Sequence, residues 1–243
     1  MNGLPSWLAP LADGPGLAAL IDHTLLKPEA TEADIEHLAE EAVSLRLGAV
    51  CVNGQWVDTA ARWLDGSAVR VAAVVGFPLG ANGKSVKVAE TRALLADGAM
   101  EIDLVMALGW ARAGRWDRVR EEIAAVVEVA GERLVKVILE TAALAPVEIE
   151  RACREAVAGG AGMVKTSTGF HPAGGATVEA VRLMRSVVGS SAGVKASGGI
   201  RTSEDARRML LAGADRLGTS AAATWGEALH RRLDQYLAGD HPG

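Results

Sequence analysis

The chain has 243 residues, enough for one large domain or two small ones. Hydrophobic residues make up 49% of it and aromatic residues only 4%, so Ala, Val, Leu and Ile must fill a substantial core. A formal charge of −5 shows no basic excess, which argues against a nucleic-acid or anionic-membrane surface, and no run approaches the roughly 18 apolar residues that span a bilayer.

Residues 1–16 carry no Lys or Arg and are broken by prolines and glycines, so they read as a loose N-terminal extension and not as a secretory signal. From there on, short apolar runs alternate with stretches of helical period. The first run, residues 18–25, contains Asp22, His23 and Thr24. A helix is predicted over 31–47, where Thr31 and Asp34 resemble a capping box and Gly48 supplies the stop. Strand 49–52 precedes a helix over 55–64, and strand 69–77 precedes a helix over 86–96. The fourth pair is 101–107 with 117–130; the fifth is 134–140 with 146–158, where Pro146 suits a first helical turn. Strand 163–168 pairs with helix 178–188, strand 194–197 with helix 204–211, and strand 215–219 with a terminal helix within 222–237. Eight strand-then-helix units without a linker favour one closed (β/α)8 TIM barrel, a single domain over residues 1–243. A doubly wound sheet would want fewer strands and a GxGxxG fingerprint after the first, which is absent.

Three lysines interrupt these apolar runs: Lys136 in LVKVIL, Lys165 in MVKTST and Lys195 in GVKASG, joined by Asp103 in EIDLVM. Lysine is rarely buried unless paired or used. All four lie on consecutive strands of the expected barrel, whose catalytic groups come from strand C-termini and the loops after them. A free lysine near pKa 10.4 is neutral about once in 10³–10⁴ at pH 7; lowering its pKa to about 7 raises that fraction roughly a thousandfold and costs on the order of 4–5 kcal/mol of ammonium stabilisation. Desolvation and a second ammonium nearby can supply this, and a neutral amine is a nucleophile. The bland alternative is that each lysine snorkels from a strand end. That reading carries even weight for any one of them and far less for three together.

Three loops add an anion-binding pattern. They are Thr166–Ser167–Thr168–Gly169, Ser197–Gly198–Gly199–Ile200–Arg201 and Gly218–Thr219–Ser220, which end the sixth, seventh and eighth strands. Glycines let backbone N–H groups approach a phosphate, and the loops after the last two strands are a recurrent phosphate site of this fold. Thr202 or Ser203 is expected to cap the following helix. Asp22, His23 and Thr24 either line the pocket or form an Asx-type turn. Cys51 reads as core, His37 and His230 as surface residues, and His171 as a solvated loop residue or a phosphate neighbour. No His or carboxylate pair has metal-ligand spacing, so neither a metal nor a cofactor is implied. Cys51 and Cys153 form no CxxC and read as buried thiols of a reducing compartment, hence a soluble, cytoplasmic protein. The six tryptophans mark no aromatic platform.

The segments IDHTLLKP, VVGFPLG, EIDLV, VKVILET, VKTSTGF, VKASGGIR and RLGTS occur in this order, from about residue 20 to the final helix. In them the chain resembles the deoxyribose-phosphate aldolases. The resemblance implies a metal-independent class I aldolase that reversibly cleaves 2-deoxyribose 5-phosphate into acetaldehyde and glyceraldehyde 3-phosphate, in deoxyribonucleoside catabolism. It implies Lys165 as Schiff-base nucleophile, Asp103 and Lys195 as a proton relay in which Lys195 depresses the pKa of Lys165, and Lys136 as a supporting group. Gly169, Gly198, Gly199, Gly218, Ser220 and Arg201 would hold the phosphate. The expected partners are small phosphosugars and aldehydes, without nucleic acid or membrane; a homodimer is allowed, although nothing in the sequence sets an oligomeric state. The chain departs from some relatives at Phe170, where they carry a lysine, at Ala107 for an asparagine and at Ala221 for a serine, and it ends in HPG where some end in tyrosine. Two rival readings are a transaldolase-like Schiff-base enzyme and a catalytically silent sugar-phosphate barrel.

Overall fold

Aliphatic and β-branched residues alternate with polar or small ones along each short run, and this period-2 pattern gives the strands two faces with different fates. In the structure, a computed structural model that describes residues 16–238, eight parallel strands close into a barrel in sequence order. They are β1 (Ile21–Leu25), β2 (Ala49–Val52), β3 (Arg70–Val75), β4 (Glu101–Val105), β5 (Leu134–Ile138), β6 (Met163–Lys165), β7 (Gly193–Ser197) and β8 (Arg216–Thr219). The helices between them are α1 (Glu32–Ser44), α2 (Val57–Trp63), α3 (Lys84–Ala96), α4 (Leu108–Arg112), α5 (Trp116–Ala130), α6 (Pro146–Ala158), α7 (Val178–Val188) and α8 (Ser203–Ala212), with α9 (Leu233–Ala238) after the last strand. The expected (β/α)8 architecture is therefore present. The loose extension expected over 1–16 falls almost wholly outside the described residues.

Outward strand residues such as Val50, Val52, Val71, Ile102, Leu104, Val135, Val137, Val164, Val194 and Leu217 pack under the helices in one continuous apolar core. The barrel interior is divided instead. Cys51, Ala72 and Val74 of β2 and β3, with Leu26, form a small separate apolar cluster. Inward positions of β4 to β8 and of β1 carry the buried charges described below.

Local signals explain most element ends. Thr31 caps α1 and Thr202 caps α8, each in a reciprocal box with an aspartate, Asp34 and Asp205. Pro146 opens α6. Three expectations need correction. The first run does not begin the strand, because Leu17–Leu20 make a 3-10 turn first. The run 163–168 leaves the ladder at Lys165, since Thr166 Oγ1 exchanges hydrogen bonds with the Ser197 backbone, donating to its O at 3.1 Å and accepting from its N at 3.0 Å. The terminal helix is split: Ala222–His230 is 3-10, broken at Gly226 (φ 52°, ψ −132°), and only α9 is α-helical. Among the described residues no helix is long and apolar enough to cross a membrane. Cys51 and Cys153 are free thiols, both buried.

Candidate active site

Strand register sets the interrupting residues at adjacent inward positions: β5 pairs Lys136 with Met163 of β6, which leaves Lys165 one inward position further along. Asp103 pairs in the ladder with Lys136, and Lys165 with Lys195, which is in turn level with Arg216. Because alternate residues of a strand share a face, all of these side chains point inward, together with Asp22 of β1 and Glu101 of β4. Each is 8% exposed or less.

The seven groups form one hydrogen-bonded set. Lys165 Nζ donates to Asp103 Oδ2 at 2.6 Å, and Lys195 Nζ donates to the same oxygen at 2.8 Å. Lys136 Nζ donates to Asp103 Oδ1 at 2.8 Å and lies 2.5 Å from Glu101 Oε2 and 3.3 Å from Asp22 Oδ2. Lys195 also donates to Asp22 Oδ2. Arg216 clasps the other oxygen of Asp22 through Nε at 3.0 Å and through Nη2, and reaches Glu101 at 3.2 and 3.4 Å. Cys51 Sγ stands 4.0 Å from Asp103 Oδ2, its thiol pushed up by burial and by that carboxylate.

Burial on its own would raise the carboxylates and lower the amines. The cations around Asp103 and Asp22 outweigh it and hold both carboxyls well below the usual range. At Lys165 burial lowers the pKa, but the Asp103 carboxylate more than offsets this, so the resting amine is held above its ordinary value. Burial dominates at Lys195 despite Asp103 and Asp22, and its pKa is lowered. In the resting arrangement, then, Lys195 is the readier of the two to be neutral, and Asp103 Oδ2 is a shared acceptor through which a proton can pass between them.

A cavity of about 260 Å³ opens above this set, and of the seven groups only Lys165 lines it. Its walls include Thr24, Lys27, Gly169, Gly198, Gly199, Arg201, Gly218 and Ser220. All six residues expected at the phosphate thus line one cavity. Gly169, Gly198 and Gly199 have φ of 83°, 85° and 82°, a left-handed conformation that suits glycine. Among the described residues no protein acceptor takes the backbone N–H of Gly169, Gly198, Gly199 or Ser220. The N-terminus of α8, by contrast, is satisfied internally: Asp205 accepts from Arg201 N at 3.2 Å and from Thr202 N at 3.0 Å. The anion-binding capacity here resides in the loop amides more than in the helix end.

Neighbouring residues settle the weaker expectations. Asp22 is buried in the charged set and takes no part in an Asx-type turn. Thr24 lines the cavity, donating through Oγ1 to Asp22 O at 2.8 Å. His23 points the other way, 2.8 Å from Glu41 on α1, because successive strand residues alternate. His171 lies on a second cavity of about 240 Å³, with Pro78, Leu79 and Phe170, and does not line the first. Phe170 forms part of the wall of both cavities, its ring edge-on to Phe77 at 5.2 Å.

Sequence reasoning passed over several members. Glu101 and Arg216 complete the charged set, and Lys27 adds a second cation to the rim beside Arg201; no ion pair engages either rim cation among the described residues. Glu140, buried at φ 57°, accepts from Thr168 N at 3.2 Å and from Thr168 Oγ1 at 2.5 Å, fixing the loop after β6. Lys87 and Glu122 form a second buried pair at 2.7 Å, and Lys87 also donates to Gly80 O and Val105 O at 2.9 Å each.

The sequence and the fold have counterparts in known proteins. A profile of the DeoC/LacD family aldolases matches residues 17–228. A deoxyribose-phosphate aldolase of Streptococcus mutans is 50% identical over 204 residues, 84% of this chain and 92% of its own. One of Bacillus subtilis is 51% identical over 209 residues, 86% of this chain and 93% of its own. Among solved structures, the aldolase QR15 superposes with a TM-score of 0.83 at 41% identity, covering 87% of this chain and 94% of that one. The deoxyribose phosphate aldolase of Aeropyrum pernix, described as tetrameric, superposes with a TM-score of 0.79 at 32% identity over 92% of each chain.

Proposed function

The chain belongs to the DeoC/LacD family of aldolases, and on that footing we propose that it cleaves 2-deoxyribose 5-phosphate reversibly into acetaldehyde and glyceraldehyde 3-phosphate, with Lys165 as the Schiff-base nucleophile. The observation that carries this reading is placement: Lys165 is the one member of the buried charged set that faces the cavity, at the foot of three loops with unpaired backbone N–H groups.

Catalysis then begins with a proton transfer. Lys165 passes a proton through Asp103 Oδ2 to Lys195, whose ammonium is held by Asp103 and Asp22. The neutral Lys165 amine adds to the aldehyde carbon of the open-chain sugar, and loss of water gives an iminium. Removal of the proton from the C3 hydroxyl breaks the C2–C3 bond, and its electron pair moves into the iminium to give an enamine. Glyceraldehyde 3-phosphate leaves. Protonation of the enamine carbon and hydrolysis release acetaldehyde and the free amine. In this reading Asp103 and Lys195, hydrogen-bonded in line behind Lys165, supply and take up these protons. Lys136, held by three carboxylates, keeps Asp103 oriented. The phosphate rests on the N–H groups of Gly169, Gly198, Gly199 and Ser220 beside Gly218, with Arg201 at the rim supplying charge.

Incubation with acetaldehyde and borohydride, followed by peptide mapping, tests the assignment. A two-carbon adduct on Lys165 is the expected result; its absence from a folded protein removes Lys165 as the nucleophile. The same protein should release acetaldehyde from 2-deoxyribose 5-phosphate, which neither a silent barrel nor a transaldolase-like enzyme with another donor would do. Self-association, for which a homodimer is the simplest form, is read by light scattering, and a mass near one chain excludes it.

A further inference from the structure

The buried set does not balance. Three carboxylates (Asp22, Glu101 and Asp103) face four cations (Lys136, Lys165, Lys195 and Arg216), and none of the seven is more than 8% exposed. An uncompensated buried charge is costly, and a group that can change protonation state relieves it by doing so. A guanidinium cannot, whereas an ammonium can. We propose that Arg216 is a positioning residue for the aldolase chemistry: as a fixed extra cation in the barrel interior, it obliges one lysine of the set to be neutral near pH 7.

The contacts say how the deficit is distributed. Lys136 touches three carboxylates and keeps its proton. Lys195 touches two and Lys165 one, and these two share Asp103 Oδ2. Arg216 occupies Asp22 Oδ1 from one side and both oxygens of Glu101 from below. It thereby takes up negative charge that would otherwise fix protons on Lys195 and Lys136. Without Arg216, three carboxylates would face three lysines and every amine could remain an ammonium, leaving no nucleophile.

β1 presents Asp22, β2 the neutral thiol of Cys51, β4 Glu101 and Asp103, β5 Lys136, β6 Lys165, β7 Lys195 and β8 Arg216, while the inward positions of β3 carry Ala72, Val74 and, at the start of the strand, Arg70. Arg70 approaches Glu101 to 2.9 Å, but its side chain is 42% exposed, against 10% for Arg216, so water screens its charge far more. His23 faces α1.

The inference rests on the proposed function, and one assay separates the two. The initial rate of adduct formation on Lys165 with acetaldehyde and cyanoborohydride is measured against pH for the wild-type chain, Arg216→Met and Asp22→Asn. In each case the amine adds to the carbonyl carbon, water leaves and the reductant delivers hydride to the iminium. Arg216→Met should move the pH midpoint up by about one to three units, the range expected for a charge within a few ångströms. Asp22→Asn removes an anion and should move it down. Opposite shifts cannot come from loosened packing, which would slow both variants without opposite displacement of their midpoints. Arg216→Lys, whose ammonium can itself lose a proton, should fall between wild type and Arg216→Met, and it carries the test if Arg216→Met does not fold. Midpoints that coincide with wild type, or that move in the same direction, overturn the role of Arg216. A wild-type chain that forms no adduct overturns the aldolase reading instead.

Discussion

Replacing Asp103 by asparagine preserves shape and removes one charge from the centre of the site. Asp103 accepts from Lys136, Lys165 and Lys195 at 2.8, 2.6 and 2.8 Å and is fully buried. Breaking a buried ion pair by removing one partner costs about 3–5 kcal/mol. Lys136 retains Glu101 and Asp22, and Lys195 retains Asp22, but Lys165 loses its carboxylate partner. In the wild type that carboxylate holds the Lys165 pKa up, so its stabilising contribution is present below about 10.4 and lost only as pH rises through the folded value. In Asp103→Asn the sign reverses. The folded pKa of Lys165 drops below that of the unfolded chain, the folded state binds fewer protons, and stability rises with pH at up to about 1.4 kcal/mol per unit for each such lysine. Urea unfolding at pH 7, 8 and 9 should therefore show a gap between variant and wild type that narrows as pH increases. Adduct formation on Lys165 should persist at equal or lower pH, while turnover falls by roughly 10²–10⁴ for lack of the proton carrier. A gap that stays constant or widens with pH refutes the argument.

Two further substitutions probe the scaffold around this centre. A Cβ at Gly198 would meet Gly175 Cα at 3.0 Å and Gly169 Cα at 3.4 Å, at φ 85°, so Gly198→Ala should push the phosphate loops apart. It should raise KM for the phosphorylated substrate about tenfold or more, a loss on the order of 1.4 kcal/mol, while the acetaldehyde adduct still forms on Lys165; an unchanged KM would sink the phosphate assignment. Lys87→Met leaves Glu122 buried with only the Ala107 N–H, at 3.0 Å, as donor. A stability loss of about 3–5 kcal/mol is expected from the urea midpoint, and a loss under about 1 kcal/mol would show that the pair is not the clamp its geometry suggests.

The lysines were legible because each stands out inside an apolar run, and Asp103 for the same reason. Glu101 and Arg216 were not, although they belong to the same set. Both are the first residues of their strands, where a charge ordinarily faces water. Only the ladder register, which sets Arg216 level with Lys195 and Glu101 level with Ala72, turns them inward. Helix starts were readable where a threonine and an aspartate exchange hydrogen bonds, at Thr31 and Thr202, since that chemistry is local. The sign of the Lys165 shift was beyond reach for the opposite reason. It depends on the direct hydrogen bond of Lys165 to Asp103, which outweighs burial and the Lys136 ammonium and joins strands far apart in sequence.

The closure of the barrel has one more consequence. Arg216 and Asp22 stand 194 positions apart, and Lys195 and Asp22 stand 173 apart, yet they share a carboxylate at the seam where the first and last strands meet. Contacts of such long range form late, because the chain between them must first be ordered. Until β1 and β8 pair, Asp22 is not held against Lys195 and Arg216, and the set around Asp103 is incomplete. An open barrel would carry the site residues without the shared burial that couples their protons, so closing the seam is part of building the site.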